Sequence, residues 1–283
     1  MNKDKHKHHK RSIKEPLVSQ IKEHKVTFAV YVVLRLIVIA VLLLSLFDRR
    51  FENVFVCSLT LILFLVPAFF QKNFGIELPT TLEIIIMLFI FAAEILGEIG
   101  AYYVKVPLWD TMLHTVNGFL CAAIGFSLVD LLNRNNRFKF HLSPLYLSIV
   151  AFCFSMTIGV LWEMFEFSAD MLFATDMQKD FVVGRISSVS LDDTLSNKAV
   201  VLDNITEVYI NGEPLGLGGY LDIGIIDTMK DLIVNFVGAV VFSVIGFFYV
   251  KSRGKSRFAK RFIPTITEEE PDIEQDDTMT NVK

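Results

Sequence analysis

Residues 145–172 read LYLSIVAFCFSMTIGVLWEMFEFSADML, and this stretch decides the fold. A helix that crosses the hydrocarbon core of a bilayer needs about 20 mainly apolar residues, because only internal hydrogen bonds satisfy the backbone where water is absent. No charge interrupts the run before Glu163. Glu163, Glu166 and Asp170 then follow at i, i+3 and i+7, which sets three carboxylates on one helical face. A charge at the bilayer centre costs about 2.5 to 3.5 kcal/mol on insertion scales, so such acids face a bundle interior or a water-filled cavity. The stretch therefore predicts a membrane helix with a polar site towards one end.

Outward from it, five more apolar blocks are read at 28–47, 54–70, 82–103, 111–132 and 227–250. With 53% hydrophobic residues and a mean hydropathy of +0.49, gathered in blocks, the chain is no soluble globular domain. The expected fold is all-α, a polytopic transmembrane bundle of about six spans. The block at 54–70 is the shortest, and Pro67 predicts a kink or a short tilted span there. No cleavable leader is read, and the first block serves as the insertion signal.

Lys and Arg concentrate before the first block, between the fourth and fifth at Arg134, Arg137 and Lys139, and after the sixth from Lys251 to Arg261. By the positive-inside rule these are cytoplasmic, which places both termini inside a multi-pass cell-membrane protein. Arg49 and Arg50 oppose the scheme and are outnumbered. The chain divides into a basic cytoplasmic segment 1–27, helices one to five in 28–172, an external loop 173–226, helix six in 227–250, and a cytoplasmic tail 251–283. Within the loop, ITEVYINGEPL places extended residues on both sides of Asn211-Gly212, a signal for a β-hairpin. The HKHHK run near the start and TEEEPDIEQDD near the end read as solvated tails. Cys57, Cys121 and Cys153 each lie within an apolar block, as small packed residues rather than a disulfide framework.

Polar residues recur on four blocks. Glu94 and Glu98 are spaced i, i+4, with Glu83 on nearly the same face farther along; WDTMLHTVNG lines up Asp110, His114 and Asn117; Glu163 and Glu166 lie on the fifth block. DTMKDLIVNFVGA steps Asp227, Asp231 and Asn235 four apart, with Gly238 on that side. Alternating helix direction brings all but Glu83 to the outer leaflet, so a shared external pocket is expected. The blander readings are N-caps for Asp110 and Asp227, a solvated Asp170, and packing for Asn235 with Gly238. The candidate catalytic set is Asp110, His114, Glu163, Glu166, Asp227, Asp231 and Asn235. Within it, Asp110, His114, Glu163 and Asp231 are candidate ligands for a divalent metal; hard oxygens suit Mg or Mn, and one imidazole admits Zn.

Asp110-x3-His114, Trp162-Glu163 and Asp227-x3-Asp231-x3-Asn235-x2-Gly238, in that order, resemble the uncharacterised bacterial membrane family that includes the YjdF protein. The order is more distantly similar to VanZ-like proteins. Neither resemblance implies a settled reaction. Three readings follow from the side chains: an enzyme acting on a lipid or cell-envelope precursor, a proton- or cation-coupled transporter, and a non-catalytic envelope resistance factor. The expected partners are the lipid bilayer and such a precursor, with no nucleic acid.

Overall fold

The computed structural model describes residues 14–74, 76–134, 142–252 and 254–266. The histidine run, the acidic tail, Arg137 and Lys139 lie outside them. Among the described residues eight α-helices follow in order: α1 (Lys14–Phe47), α2 (Phe51–Leu63), α3 (Val66–Phe74), α4 (Thr80–Phe91), α5 (Tyr102–Lys105), α6 (Trp109–Arg134), α7 (Pro144–Phe173) and α8 (Ile225–Lys251). Among the described residues, five stretches are long and apolar enough to cross a bilayer: Lys25–Phe47, Phe51–Asn73, Trp109–Asp130, Pro144–Phe173 and Ile225–Lys251. The second is split between α2 and α3 around Pro67, where proline interrupts the backbone ladder.

The remaining expected span is not a uniform helix. The twelve residues of α4 pass into an eight-residue π-helix, Ala92–Ile99, which holds Glu94 and Glu98. Together they are about 30 Å long, enough to cross. Two observations show that this segment joins the two ends of the bundle. At its start, Glu83 shares a cavity wall with Thr27 of α1 and with Tyr249 and Lys260 at and beyond the end of α8. Just past its other end, the Tyr103 hydroxyl lies within electrostatic reach of Asp110 and Glu166. The beginning of the apolar stretch of α1, at Thr27, and the end of α8 therefore share one end of the molecule.

Helices α6, α7 and α8 form the inner bundle. Glycine makes it tight: a Cβ on Gly118 would lie 2.1 Å from the Asn235 carbonyl oxygen, and one on Gly238 would lie 2.0 Å from that of Thr115. Two backbones approach where no side chain fits, the usual means of packing helices in lipid. Ala122, Ala123, Phe126, Leu147, Ala151 and Phe242 fill the core beyond them. A second core, around Leu34, Val38, Cys57, Phe64, Met87 and Ile95, joins α1, α2 and the third span.

The chain does not leave the bundle at once after α8. Residues 254–266 fold back onto the bundle, burying Ala259, Phe262 and Ile263 in the inner core, and Phe262 meets Phe119 edge to face at 5.2 Å. Thr265 and Ile266 then pair with Ile76 and Glu77 in a short antiparallel ladder. The apolar side chains leave water while the neighbouring Lys260 and Arg261 stay exposed.

Between α7 and α8 the insert carries three small antiparallel pairs. Val182–Val183 meets Tyr220–Leu221 at its base, Ile186–Ser188 meets Val200–Leu202, and Tyr209–Ile210 meets Glu213–Pro214. The last is the expected hairpin; Asn211 and Gly212 both have positive φ, 54° and 89°, as a type I′ turn requires.

Candidate functional site

Asp110 opens the first turn of α6, and His114 stands one turn on; their Oδ1 and Nε2 atoms are 3.5 Å apart. Asp231, in the second turn of α8, brings Oδ2 to 3.9 Å from the same nitrogen. Ligand atoms of these three residues all lie within 4.8 Å of one another. Glu163 of α7 approaches the imidazole from its other side, Oε1 to Nδ1 at 3.7 Å. The four residues expected as one ligand set thus divide around the ring, Asp110 and Asp231 on Nε2 and Glu163 on Nδ1.

These groups are withdrawn from water. Glu163 is 5% exposed, Asp231 3% and His114 8%, while the Asp110 side chain is 30% exposed. Asp110 is therefore the side from which the cluster can be reached. Both oxygens of Glu163 and Oδ2 of Asp231 are buried and accept no hydrogen bond. Buried carboxylate oxygens without donors are costly, and three carboxylates around one imidazole repel unless a proton or a cation stands among them.

The other expected residues have different surroundings. Glu166, one turn beyond Glu163, accepts a 2.8 Å hydrogen bond from Trp162 Nε1. Asp227 accepts a 2.8 Å bond from the backbone N–H of Lys179, which ties the insert to the head of α8. Asn235 is not brought to the cluster. It is 1% exposed, receives the Asn117 amide at 3.5 Å, donates to the Ser155 carbonyl at 3.5 Å, and fills the place a Cβ on Gly159 would occupy. Its amide fastens three helices one turn below Asp231. Asp170 is bound up as well: its carboxylate accepts from Thr175 Oγ1 and from the N–H groups of Met177 and Gln178 at 2.7 to 2.8 Å, closing the end of α7.

Several contributors escaped sequence reasoning. Tyr103 lies against Gly97, and its hydroxyl is within electrostatic reach of Asp110, Glu98, Glu94 and Glu166. Gln178 bonds the Thr228 hydroxyl across the insert base. Asp222 anchors the start of α8, accepting from Phe181 N at 2.6 Å, Ile226 N at 2.9 Å and Gly224 N at 3.3 Å. Burial alone would raise its carboxyl; those backbone donors outweigh it and hold the group below the usual carboxylate range. The interior glycines Gly118 and Gly159 were the available sequence signal for close helix approach.

A family model described as "Predicted membrane protein (DUF2238)" matches residues 30–252. The uncharacterised bacterial family suggested by the motif order fits this match. A protein of Thermotoga maritima, described as an uncharacterized protein, is 26% identical over 106 residues, 38% of this chain and 53% of that protein. The match thus spans about half the length of that relative. No solved structure matches.

Proposed function

The chain belongs to the DUF2238 family of predicted membrane proteins, and on that premise we propose that it is a divalent-cation-dependent membrane enzyme acting on a lipid or cell-envelope precursor at the outer leaflet. One observation carries the reading: Asp110, His114 and Asp231 converge within 4.8 Å on buried groups, with Asp231 Oδ2 lacking any hydrogen-bond donor. Such an oxygen fits a cation. A cation there, of the Mg, Mn or Zn class, supplies Lewis acidity and lowers the pKa of a bound water.

Around it, the residues take separate roles. Asp110 and Asp231 offer oxygen ligands and His114 offers Nε2. Glu163, whose Oε1 stands 3.7 Å from Nδ1, would close on Nδ1–H once a cation held Nε2 and so fix the tautomer and ring plane, as carboxylates behind metal-bound histidines do. Glu166, buried one turn along α7 from Glu163 and held by Trp162, is the further carboxylate for proton transfer. Asp227 and Asn235 hold the insert and the helices in register and so keep the ligands aimed.

Metal analysis of the purified chain tests this. Stoichiometric Mg, Mn or Zn is expected, lost in both Asp231→Asn and His114→Ala, with unfolding temperatures showing that each variant still folds. A metal-free protein whose unfolding is indifferent to added Mg, Mn and Zn overturns it.

A second reading, proton- or cation-coupled transport, is favoured by the π-helical interruption at Glu94 and Glu98, since broken helices and π-segments recur at ion sites. Proton flux into liposomes that falls in Glu94→Gln and Glu98→Gln supports that reading over the enzymatic one.

A further inference from the structure

The three antiparallel pairs of the insert between α7 and α8 do not merge into one sheet; each stands as a two-stranded ladder. Each ladder therefore leaves main-chain edges open, the kind of surface on which another strand pairs. From the second ladder to the third the chain runs from Leu202 to Tyr209, and a groove of about 570 Å³ lies along it, within the range of ligand sites. Ile186 and Leu202, opposite one another in their ladder, join Ile205, Val208 and the rings of Tyr209 and Tyr220 in its apolar lining. Leu202, Tyr209 and Tyr220 are 45%, 60% and 41% exposed, so the insert does not cover its own apolar side chains. The main chain is open as well. The Ile205 N–H donates to the Gly184 carbonyl at 2.9 Å, and the Val208 carbonyl accepts from the Leu215 N–H at 2.7 Å. Between these two fastenings, the N–H groups of Thr206 and Glu207 have no hydrogen-bond partner among the described residues. Glu207 is the charged side chain of the lining; it is exposed and makes no ion pair among the described residues.

We propose that this groove binds an extended peptide segment with lysine or arginine among apolar residues, its main chain laid along Thr206 and Glu207. Main chain, lining and charge each select that occupant. Two unused N–H groups call for carbonyl acceptors, which a peptide backbone supplies in series and a lipid tail does not. The apolar lining takes every second side chain of an extended strand, because the pleat sends the others to the opposite face. Charge then sets what those others are. Between Gly184 and Gly219 the insert bears five carboxylates against two basic side chains, with Glu207 in the groove itself. A second copy paired edge to edge would set Glu207 against its own kind, and an anionic lipid surface meets the same repulsion. A cationic strand is the complement. This site is independent of the cation cluster and rests on none of its chemistry.

Fluorescence anisotropy of the full-length protein in nonionic detergent decides it, with a fluorescein-labelled peptide of alternating lysine and valine. Saturable binding is expected, about tenfold tighter than that of a peptide of alternating glutamate and valine, and weaker as salt rises. Glu207→Gln is expected to weaken the lysine peptide about threefold, the scale of one exposed ion pair. Thr206→Pro removes an N–H that the protein itself leaves unused, so it is expected to weaken binding about tenfold while the unfolding temperature stays unchanged. If Thr206→Pro fails to fold, the lysine peptide with every second amide N-methylated is expected to bind the parent protein about tenfold more weakly. Equal binding of the lysine and glutamate peptides overturns the proposal in favour of an apolar groove without charge selection. An N-methylated peptide that binds as well as the unmodified one overturns the main-chain pairing. No saturable binding of either peptide overturns the proposal outright, and a dimer that Thr206→Pro dissociates would then assign the groove to a second copy.

Discussion

Gly238→Ala separates the packing of α6 and α8 from the chemistry of the residues they carry. In the native bundle the new Cβ would sit 2.0 Å from the Thr115 carbonyl oxygen and 2.8 Å from the Phe119 nitrogen, both backbone atoms that cannot rotate away. Ordinary contact begins near 3.4 Å, so the two helices must part locally by about 1.4 Å. Alanine returns about 1 kcal/mol of helix propensity, whereas overpacking costs about 1 to 3 kcal/mol and more where backbone must move. The balance is a loss, read as an unfolding temperature several degrees lower. The geometric effect is sharper. Asp110 and His114 share α6 and keep their 3.5 Å contact, but Asp231 rides on α8, and its 3.9 Å approach to His114 would stretch to about 5 Å. Thermal unfolding with and without Mg, Mn or Zn reads both effects together: lower intrinsic stability and loss of cation stabilisation. A Gly238→Ala protein as stable as the parent would refute the packing argument. One that is destabilised yet stabilised by cation to the same degree would refute the claim that α8 contributes a ligand.

Asp222 gives a pH signature in the insert. Its folded-state pKa is depressed, so its contribution is full above the unfolded value of about 4 and is lost as pH falls through the folded value. Protection factors for hydrogen exchange at Phe181, Gly224 and Ile226 should fall below about pH 4, and in Asp222→Asn they should be low at neutral pH and flat across that range. Membrane sidedness is read by cysteine labelling in a background without native cysteines. Leu195→Cys, at a position 91% exposed in the insert, should react with an impermeant maleimide in intact cells. Ser256→Cys should react only after permeabilisation; the reverse pattern would invert the orientation.

The spans were legible because apolar blocks of bilayer length have few other uses, and the polar faces because 3.6-residue spacing places Glu163 with Glu166, and Asp227 with Asp231, on shared stripes. Asp110-x3-His114 reads as one contact from spacing alone. Which nitrogen of His114 each carboxylate faces was not legible, since that depends on interhelical distances set by Gly118, Gly159 and Gly238. Asn235 has the same i+4 step as a ligand would, and only its partners Asn117 and Ser155 reveal a fastening. The π-helix leaves no periodic trace, because one changed hydrogen-bond register alters no residue pattern. Asp170 and Asp222 serve backbone N–H groups that the chain brings near only after it has turned, so their roles come from the fold.

The insert's base is clamped where Val182–Val183 meets Tyr220–Leu221, with Asp170, Asp222 and Asp227 holding the backbone on either side. Everything between Val183 and Tyr220 is then an excursion whose ends are already joined, and lengthening a closed loop adds little further entropy cost. The molecule thus has a socket and a replaceable head. A tag or reporter domain grafted at Leu195, in the turn that Asp192 gathers through Thr194 and Ser196, would ride on the socket without disturbing the helices beneath.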